Sequence, residues 1–130
     1  MKVNLEELEK LVNAELTSKI QSSKIFFNEL LIEVKPEDLL EVIIFLKSDD
    51  NCKFRQLIDI AGVDYPQEER RFRLVYLLLS HEKNTRIKIS INFEQKNKIN
   101  SITKIFSSAN WMEREAFDMY GIQFVNHPDL

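Results

Sequence analysis

The chain has 130 residues, 44% of them hydrophobic and 30% charged, a mass of 15.4 kDa and a formal net charge of −3. This is the sequence of one ordinary globular domain, able to bury roughly two-thirds of the surface it exposes when unfolded. Two distant glycines, Gly62 and Gly121, leave no glycine-rich phosphate loop, and the single Cys52 excludes an internal disulfide and a cysteine-ligated iron–sulfur cluster.

Residues 4 to 16 place Leu5, Leu8, Leu11, Val12 and Leu16 on one stripe, which predicts a helix capped by Asn4 with Glu7 three residues on. In KIFFNELLIEV, 24 to 34, two apolar runs flank Asn28-Glu29 and predict a tight hairpin. Pro36, followed by Glu37 and Asp38, begins a second helix that runs to about Lys47. FRQLIDIAGVDY, 54 to 65, reads as a strand, with a bulge or strand-end turn expected at Gly62. RFRLVYLLLS, 71 to 80, is the strongest strand; its later continuous apolar run predicts cover on both faces. Arg86 to Phe93 alternate and pair with it, and about 101 to 120 is predicted helical, stopping at a Gly121 cap. The order α-β-β-α-β-β-β-α implies an α+β fold: one two-layer domain over 1–130, helices packed on one side of a mixed, largely antiparallel sheet, with 122–130 an extended C-terminal tail.

The N-terminus is charged and amphipathic rather than a signal peptide, and no apolar run approaches the ~20 residues of a membrane helix. The chain is expected to be intracellular, to meet a membrane only through a partner, and, lacking a basic run, not to bind nucleic acid.

Functional residue types concentrate in ANWMEREAFDMYGIQFVNHPDL, 109 to 130. On a helix, Trp111, Glu115 and Asp118 share one side, Arg114 reaches Asp118 at i+4, and Glu113 and Phe117 occupy another. A metal site from Glu113 or Glu115 with Asp118 and His127 is weighed against a helix with ion pairs, and the latter is favoured. Paired-carboxylate catalysis by Glu115 and Asp118 would need raised pKa values that Arg114 opposes. Cys52 with His81 lacks a third orienting residue, so a small buried or half-buried residue is expected there. Asp59 and Asp64 have no calcium-loop spacing. The arginines of RRFR, 70 to 73, are expected to be solvated strand-edge charge. No catalytic, cofactor-binding or metal residue is therefore assigned.

The string 109 to 130 closely resembles the signature of the 30-kDa subunit family of respiratory complex I, the C subunits of NADH–quinone oxidoreductase. Its parts are Trp111, Glu113-Arg114-Glu115, Phe117-Asp118, Tyr120-Gly121 and His127-Pro128-Asp129-Leu130. DIAGVDY at 59 to 65 and ERRFRLVYLLLS at 69 to 80 match weaker family features, while the first 50 residues match only in length and helix–hairpin–helix pattern.

The resemblance implies a non-catalytic scaffold of the peripheral arm of this proton-translocating respiratory enzyme. Flavin, iron–sulfur clusters, NADH and quinone would then be bound by other subunits and none by this chain. The chief partner would be the quinone-chamber (49-kDa-like) subunit, at the cytoplasmic side of a bacterial inner membrane. The alternative is the equivalent subunit of a complex I-related membrane-bound hydrogenase. Trp111, Glu113, Arg114, Glu115, Asp118, Tyr120, His127, Pro128 and Asp129 are expected at the partner interface: aromatic anchors with charged neighbours suit a specific contact. Members usually continue past HPDL, so with Leu130 last, part of the docking surface is expected to be missing.

Overall fold

A computed structural model describes residues 4–128. Helix α1 (Leu5–Glu15) begins where the Asn4 side chain accepts hydrogen bonds from the backbone N–H groups of Glu6 and Glu7, satisfying donors that a helix start leaves free. Strands β1 (Ile20–Phe26) and β2 (Glu29–Val34) form an antiparallel hairpin. Its two-residue turn is Phe27-Asn28, both at positive φ (49° and 63°), one position earlier than the expected Asn28-Glu29. Phe26 pairs directly with Glu29, so Glu29 already belongs to β2.

Pro36 opens a single 3-10 turn to Asp38 and α2 follows as Leu39–Ser48, with Leu39, Val42, Ile43 and Leu46 buried. Strands β3 (Gln56–Asp64), β4 (Phe72–Ser80) and β5 (Thr85–Phe93) complete a five-stranded sheet of order β1-β2-β5-β4-β3. Only β2 and β5 run parallel within it; α2 and the β3–β4 hairpin supply the long crossover that parallel neighbours need.

Three further regions differ from the sequence expectations. First, β4 alternates strictly between buried and half-buried residues. Leu74, Tyr76 and Leu78 face the helices with Ile87, Ile89 and Ile91 of β5, while Val75, Leu77 and Leu79 lie half-buried on the other face. The apolar run thus marks an open sheet face with hydrophobic character rather than two covered faces. β4 is also interior to the sheet, so Arg73 is not an edge charge, whereas Arg70 is exposed in the turn that precedes the strand. Arg71 makes two hydrogen bonds to Asp64 (2.6 and 2.9 Å), and Arg73 bonds Asn92 and Glu33 across the sheet.

Second, the bulge in β3 falls between Leu57 and Asp59, whereas Gly62 pairs in register with Leu74. Third, the last helix, α3, spans only Ala109–Tyr120. Residues 101–108 pass through separate turns, closed by Phe106 N–H to Ile102 O and Ala109 N–H to Phe106 O. Before them, β6 (Lys98–Asn100) pairs in parallel with β7 (Gln123–Val125), so part of the C-terminal stretch joins a small second sheet. Gly121 caps α3 in the left-handed conformation (φ 70°) and donates its N–H to Phe117 O.

Register shows that α1 and α3 cover the same face. Ser23, opposite Ile32, bonds Glu9 of α1, and Gly62, opposite Leu74, meets Tyr120 of α3. Together with α2 these elements enclose one apolar core centred on Leu30, Ile32, Leu74, Tyr76, Ile87 and Ile89. Each aliphatic side chain among them contributes about 1.5–3 kcal/mol through burial.

Candidate functional site

Helix α3 has two unlike faces. Its inner stripe runs Ala109, Glu113, Ala116 and Tyr120, at spacings of four, three and four residues. The two alanines let the helix lie close to the sheet. Tyr120 uses that proximity: its hydroxyl donates to Gly62 O at 3.1 Å and its ring stands edge-on to Phe72, with centroids 6.4 Å apart. A Cβ on Gly62 would sit 2.7 Å from Tyr120 Cε2. Glycine is present in β3 because an aromatic ring occupies the space of a side chain. The motifs DIAGVDY, ERRFR and the C-terminal string, separate in sequence, therefore meet at Gly62, Phe72 and Tyr120.

Glu113 is wholly buried. Ser101 donates its hydroxyl to Oε1 at 2.6 Å, and the N–H of Ile102 donates to Oε2 at 2.9 Å. The Ser101 oxygen in turn accepts from the Thr103 N–H. The carboxylate thus satisfies backbone and hydroxyl groups of a loop that leaves the sheet for the helix. His127 closes the cluster: its Nε2 lies 3.0 Å from Asn110 O and 3.8 Å from Glu113 Oε1. Burial holds the Glu113 carboxyl above the ordinary glutamate value; the bonds from Ser101 and Ile102 and the nearby His127 act in the opposite direction. Burial, and then the charge of Glu113, push the Tyr76 hydroxyl well above its usual range. That hydroxyl has no hydrogen-bond partner among the described residues.

The outer face carries Trp111, Arg114, Glu115, Asp118 and Met119, all exposed. Trp111 is 64% exposed and Met119 72%. Among the described residues no ion pair joins Arg114 to Asp118, contrary to the i+4 expectation. The residues expected at an interface thus divide: Trp111, Arg114, Glu115 and Asp118 point outward, whereas Glu113, Tyr120 and His127 are built into the domain. Pro128 is exposed at the end of the described residues, and Asp129 lies outside them.

The other candidate chemistry separates likewise. Glu115 and Asp118 do not converge with Glu113 and His127, and no group of three His, Cys, Asp or Glu residues is placed to hold a metal ion among the described residues. Cys52 is buried, and its thiol is pushed up to about 12 by burial and then by Asp49, far from thiolate chemistry. His81 is exposed and contacts Gln56. The Asp59 side chain accepts from the Ile60 N–H, while Asp64 is held by Arg71, which lowers its pKa. An open cleft of about 440 Å³ beside Tyr65, Glu68, Glu69, Arg70, Arg73 and Asn92 holds no nucleophile with a base. Sequence reasoning missed Ser101 and Tyr76 and the contact made by Gly62; only the isolated glycine inside a strand pattern signalled the last of these.

Residues 32–130 match the family model described as respiratory-chain NADH dehydrogenase, 30 Kd subunit. The chain is 44% identical over 127 residues to the C subunit of NADH-quinone oxidoreductase from Rhodospirillum rubrum, covering 98% of this chain and 60% of that protein. It is 39% identical over 130 residues to the corresponding C subunit from Mesorhizobium japonicum, covering 100% and 65%. Similarity therefore extends through the first 50 residues, where the sequence alone offered only a matching pattern. The chain spans less than two thirds of the length of these relatives. The solved trypsin-resistant fragment (1-134) of Nqo5 superposes with a TM-score of 0.81 at 26% identity, covering 97% of this chain and 98% of that one. A chain of the membrane-bound sulfane sulfur reductase, an archaeal respiratory membrane complex, superposes with a TM-score of 0.83 at 21% identity over 96% of this chain and 72% of that one, a likeness of fold alone.

Proposed function

Because the chain belongs to the family of the respiratory-chain NADH dehydrogenase 30 Kd subunit, we propose that it is a non-catalytic scaffold in the peripheral arm of a proton-translocating NADH–quinone oxidoreductase. In this reading the outer face of α3 docks on the quinone-chamber subunit, while other subunits bind flavin, iron–sulfur clusters, NADH and quinone. The assembly lies at the cytoplasmic side of a bacterial inner membrane, and this chain reaches the membrane through its partners. Among the described residues no helix is long and apolar enough to cross one.

The observation that carries the reading is the asymmetry of α3. Its inner face is fixed by Glu113 and by Tyr120 on Gly62, whereas Trp111 remains 64% exposed among Arg114, Glu115 and Asp118. An exposed tryptophan on a rigid helix, rimmed by charge, has the make-up of a binding hot spot. The names of the relatives, C subunits of NADH-quinone oxidoreductase, support the choice of assembly.

The test is calorimetric titration of this chain with the quinone-chamber subunit of its own organism, beside the Trp111→Ala and Arg114→Ala variants. Wild type binds; Trp111→Ala loses at least about tenfold in affinity and Arg114→Ala less, both with unchanged melting. Equal binding by all three would remove α3 from the interface.

A further inference from the structure

The β1–β2 hairpin ends in an apolar tip. Ile25, Phe26 and Phe27 are 37%, 54% and 85% exposed. The turn requires positive φ at both central positions, where Asn and Gly are usual. Asn28 meets that demand without difficulty, but position 27 holds an aromatic residue at φ 49°. The fold thus accepts both backbone strain and solvent exposure at one phenylalanine. The rings of Phe26 and Phe27 lie 4.3 Å apart and tilted by 59°, forming a compact pair. Lys24, on the same face as Phe26, has its Nζ 5.6 Å from that ring. The nearest acid of the turn, Glu29, is taken by Lys88 at 3.2 Å. Among the described residues Lys24 therefore has no carboxylate partner.

We propose that this tip is a second docking surface, an aromatic plug for an apolar pocket with a carboxylate at its rim on another protein subunit of the same assembly. This rests on the reading of the chain as an assembly subunit. The paired rings suit a pocket, and the uncompensated Lys24 ammonium selects an acidic rim. A lipid surface fits less well: stable attachment takes several cations or a larger buried apolar area, and the tip offers one lysine and two rings. Its place in the fold gives the plug a purpose. β1 is one edge of the five-stranded sheet, and β3, against which α3 packs, is the other. Four strand spacings, roughly 19 Å, separate those edges. A chain that docks through α3 and through the hairpin joins two bodies, which a scaffold must do.

The experiment replaces Phe27 with the photoreactive p-benzoylphenylalanine in the protein as expressed in its own host, and irradiates the purified complex. A parallel competition between wild type and Phe27→Asn measures incorporation into that complex. The proposal predicts a crosslink to a protein subunit of the complex. It also predicts a threefold or greater loss of incorporation for Phe27→Asn, while the same substitution raises the melting temperature of the 130-residue chain by relieving the strained turn. Crosslinks to lipid alone would replace the plug by a membrane contact. Wild-type incorporation of Phe27→Asn without a protein crosslink would overturn the docking surface and leave the scaffold reading standing. Absence of the wild-type chain from the purified complex would overturn both.

Discussion

The two faces of α3 are built from neighbouring letters of one short string, yet they follow different physical rules. On the inner face each polar group is accounted for: Glu113 takes two donors, Tyr120 gives its hydroxyl to Gly62 O, and His127 meets Asn110 O. On the outer face Trp111, Arg114, Glu115, Asp118 and Met119 stand in solvent, and Arg114 and Asp118 do not pair. The difference teaches that a dense charged motif need not have a single role. Its buried half fixes where the helix lies, and that precision makes the exposed half usable as a surface.

The sharpest way to break this contrast is Glu113→Ala. It leaves the Ser101 hydroxyl and the Ile102 N–H without their buried acceptor, and is expected to cost about 2–4 kcal/mol, read from the shift of the urea midpoint at constant slope. Gly62→Ala follows. Its Cβ would press on the Tyr120 ring, and displacing that ring costs about 1–3 kcal/mol; denaturant unfolding checks it, and a variant as stable as wild type would show that Tyr120 moves freely.

A smaller effect is a pH dependence. With its pKa raised by burial, native Glu113 holds a proton over a window in which the unfolded chain has already released it. Stability therefore falls as pH rises from the ordinary glutamate value through the raised one. Glu113→Gln accepts from the Ile102 N–H and donates to the Ser101 oxygen. It should unfold within about 1 kcal/mol of wild type and lack this limb in melting curves taken across pH. The least change is expected outside: Arg114→Ala, Glu115→Ala and Asp118→Ala each alter stability by no more than about 0.5 kcal/mol. A loss from any of them comparable to Gly62→Ala would erase the distinction between the faces.

Much of the scaffold was legible because its signals are local. The Leu stripe and the Asn4 cap marked α1, a strongly apolar run marked β4, near-strict alternation marked β5, and Gly121 marked the end of α3. The failures have physical causes. Ile102, Ile105, Phe106 and Ala109 are spaced as on a helix. The Ser101 and Thr103 hydroxyls bond each other, and the Ser101 oxygen accepts from the Thr103 N–H; such local bonds compete with helix formation. β6 and β7 are three-residue strands whose partners lie 25 positions away in the chain, with no periodicity long enough to detect. At the candidate site, the string itself was visible, but its division was not. Sequence placed Glu113 on a different side from Trp111, yet only the fold shows that side closing over Ser101 and Ile102. The hairpin tip escaped because an aromatic at a turn position contradicts ordinary turn chemistry.

The central claim is that α3 is fixed by its inner face and docks by its outer one. Hydroxyl-radical footprinting of the free chain and of the assembled complex tests it most directly, because Trp111 and Met119 are reactive side chains on the outer face. The account predicts rapid oxidation of both in the free chain and strong protection of both in the complex. Equal oxidation of Trp111 and Met119 in the two states would contradict it.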